Sequence, residues 1–306
     1  MIQHTEALFD EVLTKRAIAL LEDREDFAVM NGAIPMLPTG GALLGNYKVW
    51  KASDFRRRNI VRRASGTDFK RADLGLESKA FRLEQMGYEI AVDDRDYIPG
   101  QLEDTSAKMV EDAYANLDIE LASLLNTTNF TNYTAVTNAW DTATGTPIED
   151  VQRAIKAVKG RLGVAPNSML ISEDVYYALL NNAEILARMK TTADKIITKD
   201  ILASFFGLRN LYVMAGYETT TADGQATQAI GAIATGKCLV YFKGESGVTS
   251  PSAIKCFYND NESRGLAIIE TYRDNFKRAD IVRVIQDFDI VVTMVDGAQL
   301  LTNVVS

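Results

Sequence analysis

The chain has 306 residues, of which 47% are hydrophobic and 24% are charged, and its formal net charge is -8. This is the composition of a folded globular protein with enough apolar residues for a core. The negative charge excludes a polycation that coats nucleic acid over its whole surface. The length indicates one or two domains, or one elongated unit with insertions.

The sequence offers few residues for metal or hydrolase chemistry. It has one histidine, His4, and two cysteines, Cys238 and Cys256. This count does not support a histidine-based metal site or the usual general base of a serine or cysteine hydrolase. We interpret both cysteines as strand residues in a reducing compartment. The cluster Asp93-Asp94-Arg95-Asp96 lacks the glycine and distal glutamate of a calcium loop, so it predicts a solvated strand end.

Nothing in the sequence indicates insertion into a membrane. No stretch reaches the roughly 18 apolar residues of a membrane span. The start of the chain carries Glu6 and Asp10, which is not typical of a signal peptide. We therefore expect a soluble protein that is made in the cytoplasm.

The chain begins with the pattern of an amphipathic helix. Leu8, Val12, Leu20 and Leu21 recur at helical spacing, but the apolar stripe is narrow. Such a helix is marginal alone and needs a partner surface. Two prolines and three glycines follow within residues 32–41, which predicts an extended connector.

Residues 47–96 have the pattern of a long β-hairpin. Tyr47, Val49 and Lys51 alternate with their neighbours in the first strand, and residues 81–92 alternate in the second. The tip between the strands is polar and basic, and its basic residues are Arg56, Arg57, Arg58, Arg62, Arg63, Lys70 and Arg71. The tip cannot form a core of its own, so we expect the hairpin to lie on another surface. Because the whole chain is acidic, we favour contacts between these arginines and carboxylates of neighbouring copies over DNA binding.

A long helix follows Pro99-Gly100. Its apolar residues form one stripe over about five turns, made of Val110, Tyr114, Leu117, Leu121 and Leu124. Thr105 or Ser106 is the predicted cap at its start, and Asn126 follows its end.

From Thr146 onward, helices and strands alternate as in a compact α+β domain. Thr146 to Glu149 form a capping box with proline at the first helical position, and Gly163 ends that helix. Ser172 and Thr198 are the predicted caps of two further helices. The predicted strands of this region are 169–171 and 211–214. The loop Thr219–Thr227 is small and polar.

The remaining residues predict strands at 238–242, 254–258, 266–269 and 281–295. In the last strand Val282, Val284, Phe288, Ile290, Val292 and Met294 share one face.

The order of these parts resembles the Hong Kong 97-like fold of tailed-phage major capsid proteins. Residues 147–151, 163–171, 177–180 and 202–207 are similar to the axial (A) domain of these coats, and residues 266–276 with the long strand are similar to their peripheral (P) domain. The fold class implied is α+β. The implied units are an N-terminal arm at 1–46, an extended hairpin (E-loop) at 47–97, a first P-domain part with the spine helix at 98–146, the A-domain at 147–261, closing P-domain strands at 262–290, and a return to the A-domain at 291–306.

The resemblance implies a structural protein rather than an enzyme, without a cofactor. Such subunits self-assemble into hexamers and pentamers of an icosahedral phage head that encloses double-stranded DNA. The implied partners are copies of the chain itself, scaffolding, portal and decoration proteins, and non-specifically bound DNA on the inner face. The protein is then expected in the virion, after synthesis in the bacterial cytoplasm.

The resemblance also assigns positions to particular residues. Trp50 is expected to pack near the hairpin base, and both Trp50 and the basic tip residues are expected among the inter-subunit contacts of the E-loop. Thr219, Thr220, Thr221, Asp223 and Gly224 are expected at the centre of the capsomer.

Three alternatives stay open from the sequence. An encapsulin, the shell protein of a bacterial nanocompartment, has the same fold. A soluble α+β enzyme would need a pair of carboxylates in a pocket. A phage tail or baseplate component would form rings or tubes.

Overall fold

The computed structural model describes residues 8–9, 11–21, 27–51, 59–71, 75–95, 98, 100–189, 197–221, 225, 227, 229–247, 249–260 and 266–306. Its helices are α1 (Glu11–Leu21), α2 (Gln101–Leu124), α3 (Pro147–Leu162), α4 (Glu173–Asn181), α5 (Ala183–Met189) and α6 (Lys199–Phe205). Its strands are β1 (Leu8–Phe9), β2 (Met36–Pro38), β3 (Leu44–Trp50), β4 (Leu76–Arg82), β5 (Glu84–Asp93), β6 (Tyr133–Ala135), β7 (Ser168–Ser172), β8 (Asn210–Met214), β9 (Tyr217–Thr219), β10 (Ile230–Ala232), β11 (Cys238–Tyr241), β12 (Ile254–Tyr258), β13 (Ile268–Asp274), β14 (Ala279–Val292) and β15 (Ala298–Thr302).

The long strand β14 organises a six-stranded sheet. One edge of β14 pairs with β13 and then with β12, and the other edge pairs with β5. Val282, Val284, Phe288 and Ile290 are buried on one face, as their period of two predicts. Gln286 lies on the same face of β14, and its side-chain amide donates to the carbonyl oxygen of Ala113 in α2 over 2.9 Å. The sheet therefore packs on α2 through this face of β14.

The apolar stripe of α2 faces the core, as predicted. Val110, Tyr114, Leu117 and Leu121 are buried. The predicted start of this helix is wrong, because α2 begins at Gln101 after Gly100, whose φ is 91°. Thr105 and Ser106 lie inside the helix, and the Ser106 hydroxyl donates to the carbonyl oxygen of Leu102 over 2.6 Å. A glycine in the left-handed region lets the chain turn into the helix one turn earlier than the side-chain caps suggested.

The N-terminal helix finds its partner surface within the same chain. Helix α1 contacts α2, with Thr14 and Ala17 buried, and Arg16 forms an ion pair of 2.7 Å with Glu103. The connector that follows includes β2, which pairs with β12 in parallel. The predicted extended connector is thus a short edge strand of the six-stranded sheet.

A second, five-stranded sheet has the order β6-β15-β11-β7-β8. Helices α3, α4 and α6 cover one of its faces through Val151, Val175, Leu179 and Leu202. Gly163 ends α3 with φ 74°, and the Thr198 hydroxyl caps α6, as predicted. Thr146 and Ser172 stand at the predicted cap positions, but neither makes a side-chain cap hydrogen bond.

The hairpin differs from its sequence prediction in its second strand. The ladder runs from the pair Leu44–Arg82 to the pair Trp50–Leu76, and so joins β3 to β4. Residues 84–93 leave the hairpin and pair with β14 instead. The alternating pattern of residues 81–92 continues from β4 into β5, so the pattern does not show that the pairing strand changes from β3 to β14. Pairing with β14 buries Val92, which a free two-stranded ladder would leave in solvent.

Candidate assembly surfaces

The root of the hairpin is fixed to the body of its own chain by aromatic rings. Tyr47 and Val49 are buried in an apolar cluster with Phe257. The ring of Phe81 stacks on that of Phe257 with a centroid distance of 4.6 Å and an interplanar angle of 8°, and the ring of Tyr47 lies 5.0 Å from Phe257. Offset aromatic pairs of this kind stabilise beyond their buried area.

Polar contacts hold the same ladder at three further points. The Lys79 ammonium donates to the carbonyl oxygen of Thr293 over 2.9 Å, and the Arg82 amide donates to Asp289 over 2.9 Å. Burial raises the pKa of Asp289 above its usual range, and the nearby charge of Glu84 raises it further. The Trp50 indole donates to the carbonyl oxygen of Thr249 over 3.1 Å. Trp50 forms the last pair of the ladder with Leu76, so its contact with Thr249 ties that end of the ladder to the body of the chain. Its place on an inter-subunit surface stays a prediction.

Beyond Trp50, the described tip segment of residues 59–71 lies in solvent. Every residue of the segment is exposed. A local turn joins Ala64 to Thr67, with Gly66 at φ 85°, and the guanidinium of Arg63 lies 4.6 Å from the ring centroid of Phe69. The described basic residues of the tip, Arg62, Arg63, Lys70 and Arg71, all lie on this exposed segment. Arg56, Arg57 and Arg58 lie outside the described residues.

The threonines of the predicted capsomer-centre loop lie at the base of a small hairpin. Thr219 ends β9, which pairs with β10. The Thr220 amide donates to the carbonyl oxygen of Ala229 over 2.9 Å, and the Thr221 hydroxyl accepts from the Ala229 amide over 3.3 Å. Asp223 and Gly224 lie outside the described residues. A position at the centre of a capsomer stays a prediction.

One exposed feature was missed from the sequence, namely the turn between β13 and β14. Phe276 is 93% exposed at this turn. The turn is held by Asp274, whose carboxylate accepts from the amides of Phe276 and Lys277 over 2.9 and 3.2 Å. The run Asp274-Asn-Phe-Lys between two strands is a turn signal that could have located it.

Asp94, in the predicted solvated strand end, takes part in an ion-pair network, and Asp96 lies outside the described residues. Arg273 contacts both oxygens of Asp94 and also Asp280. The Arg273 guanidinium holds the pKa of Asp94 below its usual range. Among the residues that the structure describes, no group of three or more His, Cys, Asp and Glu side chains could hold a metal ion.

Both cysteines are free, buried strand residues, as interpreted from the sequence. Cys238 lies in β11 and Cys256 in β12. Burial raises the pKa of the Cys256 thiol to about 12 and raises that of Cys238 as well. Within the described ranges, no helix has the length and apolarity needed to cross a membrane.

Comparison with known proteins gives one family and a set of similar structures. Residues 125–267 match the family described as phage major capsid protein E. No curated protein matches the sequence. A crystal structure of a phage-related protein from Bordetella bronchiseptica RB50 is similar over 98% of this chain and 99% of that chain, with a TM-score of 0.73 and 19% identity.

Two assembled shells are also similar in fold. The capsid of cyanophage P-SCSP1u matches 94% of this chain and 91% of its own, with a TM-score of 0.57 and 9% identity. An encapsulin from Synechococcus elongatus PCC 7942 matches 99% of this chain and 92% of its own, with a TM-score of 0.52 and 12% identity. At sequence identities this low, the similar structures establish a shared fold and not a shared function. Together with the family match, they confirm that the chain has the Hong Kong 97-like fold and resembles phage major capsid proteins.

Proposed function

We propose that the chain is a structural major capsid subunit that forms the hexamers and pentamers of an icosahedral phage head around double-stranded DNA. The observation that carries the proposal is a basic tip whose described residues, 59–71, are all exposed, on a fold shared with capsid subunits along nearly the whole chain. A surface of this kind gains order and buried area when copies assemble. Many copies of one weak contact then strengthen a shell through multivalency.

The proposed division of the chain follows from the same fold. Residues 1–46 would form the N-terminal arm, 47–97 the E-loop, and 98–146 the first part of the P-domain with α2 as the spine helix. Residues 147–261 would form the A-domain, 262–290 the closing P-domain strands, and 291–306 the return to the A-domain. The five-stranded sheet supports the last assignment, because β15 pairs with β11 of the proposed A-domain.

The proposed partners and location follow from assembly into a phage head. Other copies of the chain are the main partner, and scaffolding, portal and decoration proteins are further partners. DNA would be bound without sequence preference on the inner face of the virion capsid. The net charge of -8 suits a lining along which DNA moves without sticking. We infer a structural and non-enzymatic role.

The second candidate function is the shell of an encapsulin-type nanocompartment. The similarity to the Synechococcus elongatus encapsulin favours it, because the two chains share their fold over most of their lengths. The contents of purified shells separate the two functions. A phage head encloses DNA, whereas a nanocompartment encloses a cargo protein.

The test is size-exclusion chromatography of the purified full chain at high concentration, followed by negative-stain electron microscopy. Closed shells, or rings of five and six subunits, are the expected result, and nuclease-protected DNA in shells from infected or induced cells would select the phage head. A monomer or dimer that never assembles, even with scaffolding protein added, would overturn the proposal.

The sequence further predicts that Arg56→Glu with Arg58→Glu impairs assembly and leaves the A-domain folded. Both residues lie outside the described residues. Arg62 and Arg63 offer the same test on described residues.

A further inference from the structure

A lysine is buried where the hairpin ladder of β3 and β4 meets the body of the chain. Lys255 lies in β12 and is 1% exposed. Its neighbours Ile254 and Cys256 belong to the core around α2. Lys255 therefore shares the opposite face of β12 with Phe257, which packs on Tyr47 of the ladder. Lysine is rarely buried to this extent, because the ammonium loses its hydration, so this buried charge needs an explanation of its own.

A hydrogen bond from Lys255 holds a surface loop. Its ammonium donates to the carbonyl oxygen of Gly247 over 3.0 Å. Gly247 belongs to residues 244–252, which we call the clasp loop and of which residue 248 lies outside the described residues. The two ends of the loop meet at Gly244, where a β-carbon would lie 1.9 Å from the carbonyl oxygen of Pro251. A local turn shapes the middle of the loop, and its position depends on contacts with the rest of the chain.

The clasp loop also contacts one end of the hairpin ladder. The Trp50 indole donates to the carbonyl oxygen of Thr249 over 3.1 Å. The Thr293 hydroxyl donates to the carbonyl oxygen of Ser252, and the carbonyl oxygen of Thr293 accepts from Lys79 of the ladder. Displacement of the clasp loop would therefore release the Trp50 end of the ladder.

The pH range in which Lys255 loses its proton follows from its burial. Burial lowers the pKa of the Lys255 ammonium to about 8, from an ordinary value of 10.5. The described elements around it carry further titratable groups, namely Tyr47, Glu77 and Lys79 of the ladder, Lys159 and Arg161 of α3, Asp289 of β14, Asp296 after β14, and Glu245 of the clasp loop. Strand β2 carries none. Glu77 is paired with Lys51 at 3.6 Å. Burial raises the pKa of Tyr47 to about 12, so Tyr47 keeps its proton below pH 10.

Protonation of Lys255 and closure of the clasp loop are thermodynamically linked. Opening of the loop would expose the ammonium to water and restore its ordinary pKa. The closed loop then binds fewer protons than the open loop between about pH 8 and 10.5, so the closed state is favoured as pH rises through this window. At pH 7 the ammonium keeps its charge, and its lost hydration favours the open loop.

We propose that residues 244–252 are a clasp that fixes the Trp50 end of the hairpin ladder to the body of the chain, and that the buried ammonium of Lys255 makes this clasp close more firmly at alkaline than at neutral pH. The device lies within one chain, so it goes beyond the proposed function and does not depend on assembly. The freedom of the hairpin is then set by a charge in the body of the protein.

Hydrogen exchange of the purified full-length protein tests the clasp. Protection of the amides of residues 48–51 and 249–253, corrected for the intrinsic exchange rate, is expected to rise at least about tenfold from pH 7 to pH 9.5. Lys255→Met keeps an unbranched side chain without the charge. This variant should show at pH 7 the protection that the wild type reaches at pH 9.5, with no further rise. Lys48→Met is the matched control, because Lys48 is exposed on the same ladder, and it should keep the wild-type pH dependence.

Trp50→Phe separates the clasp loop from the ladder. This change removes the indole donor to Thr249. The rise in protection with pH is expected to persist in residues 249–253 and to disappear in residues 48–51. An equal rise in both segments of Trp50→Phe would overturn the proposed link between the clasp and the ladder.

Two further results would overturn the clasp. One is wild-type protection that stays constant between pH 7 and pH 9.5, and the other is an unchanged rise in Lys255→Met. The amides of β7 are the internal reference, and a rise of the same size there would show a global effect in place of a clasp. If Lys255→Met fails to fold, the wild type and Trp50→Phe still decide. All of these results leave the proposed capsid function standing, because none of them measures assembly.

Discussion

A buried carboxylate connects the N-terminal segment to the centre of α2. Asp118 is fully buried and accepts hydrogen bonds from the amides of Ala28 and Val29 over 2.7 and 2.9 Å. Burial raises the pKa of Asp118 to about 6, against the lowering effect of the two amides. Because both oxygens bind backbone donors, this side chain positions the segment that leads into β2.

The stability of the wild type relative to Asp118→Asn is expected to change with pH. The folded-state pKa lies above the unfolded value of 3.8, so the folded state binds more protons in this range and the stabilisation is lost as pH rises through about 6. Lowering the pH from 7 to 4 should favour the wild type over Asp118→Asn by about 2 kcal/mol, from a shift of about two pKa units. Urea unfolding of both proteins at both pH values measures this. An unchanged difference would contradict the assignment.

The two thiols are expected to be inert in the native protein. Cys238 and Cys256 are both 0% exposed, and burial disfavours the thiolate that reacts with disulfide reagents. Labelling by a chromogenic disulfide reagent at pH 8 should be at least about 100-fold slower in the folded than in the denatured protein. Fast labelling of one thiol in the native chain would show that its strand is accessible.

At the scale of elements, the hairpin divides into a fixed root and a free tip. Within the described part of the chain, the ladder of β3 and β4 has two strands, and a two-stranded ladder is marginal without support. The stack of Phe81 on Phe257 and the contacts of Lys79, Arg82 and Trp50 provide that support. The change of partner after Arg82, from β3 to β14, then ties the hairpin to the six-stranded sheet.

Loss of the Phe81 ring is expected to loosen the ladder without unfolding the chain. Phe81→Ala removes the stacked ring and should increase hydrogen exchange in β3 and β4 by at least about tenfold, with α3 and β7 unchanged. Phe69→Ala is the matched control, since Phe69 is 76% exposed and lies outside the ladder. Equal exchange in both variants would mean that the stack does not hold the ladder.

At the scale of the whole molecule, charge is distributed unevenly. The chain carries a net charge of -8, yet the described tip segment is basic and α2 is acidic. Among the residues that the structure describes, no ion pair joins the basic tip to α2. We expect this distribution of charge to favour contacts between copies, because opposite charges on separate surfaces attract each other.

Assembly of the wild-type chain is therefore expected to weaken with salt. Raising NaCl from about 0.1 to about 1 M shortens the Debye length from about 10 to about 3 Å, which screens contacts between exposed charges. Light scattering at fixed protein concentration should show less assembly at the higher salt. The variant Arg62→Gln with Arg63→Gln should show a smaller salt dependence. Assembly that strengthens with NaCl would instead point to a contact dominated by apolar burial.

The sequence by itself determined the features that depend on local periodicity. The stripe of α2, the alternating face of β14, the end of α3 at Gly163 and the cap of Thr198 could be predicted because each depends on residues within a few turns or one strand. The layout of these parts also carried the resemblance to capsid proteins. The basic tip could be located because its charge, and its having too few apolar residues for a core, are properties of the segment alone.

Only the tertiary structure decided which distant segments meet. The pairing of β5 with β14, the hydrogen bonds from the amides of Ala28 and Val29 to Asp118, and the stack of Phe81 on Phe257 join residues far apart in sequence. Periodicity assigns a strand to a face but does not choose its partner, since either edge of a neighbour offers the same backbone donors and acceptors. That choice was made by burial of side chains such as Val92, which depends on the whole fold at once.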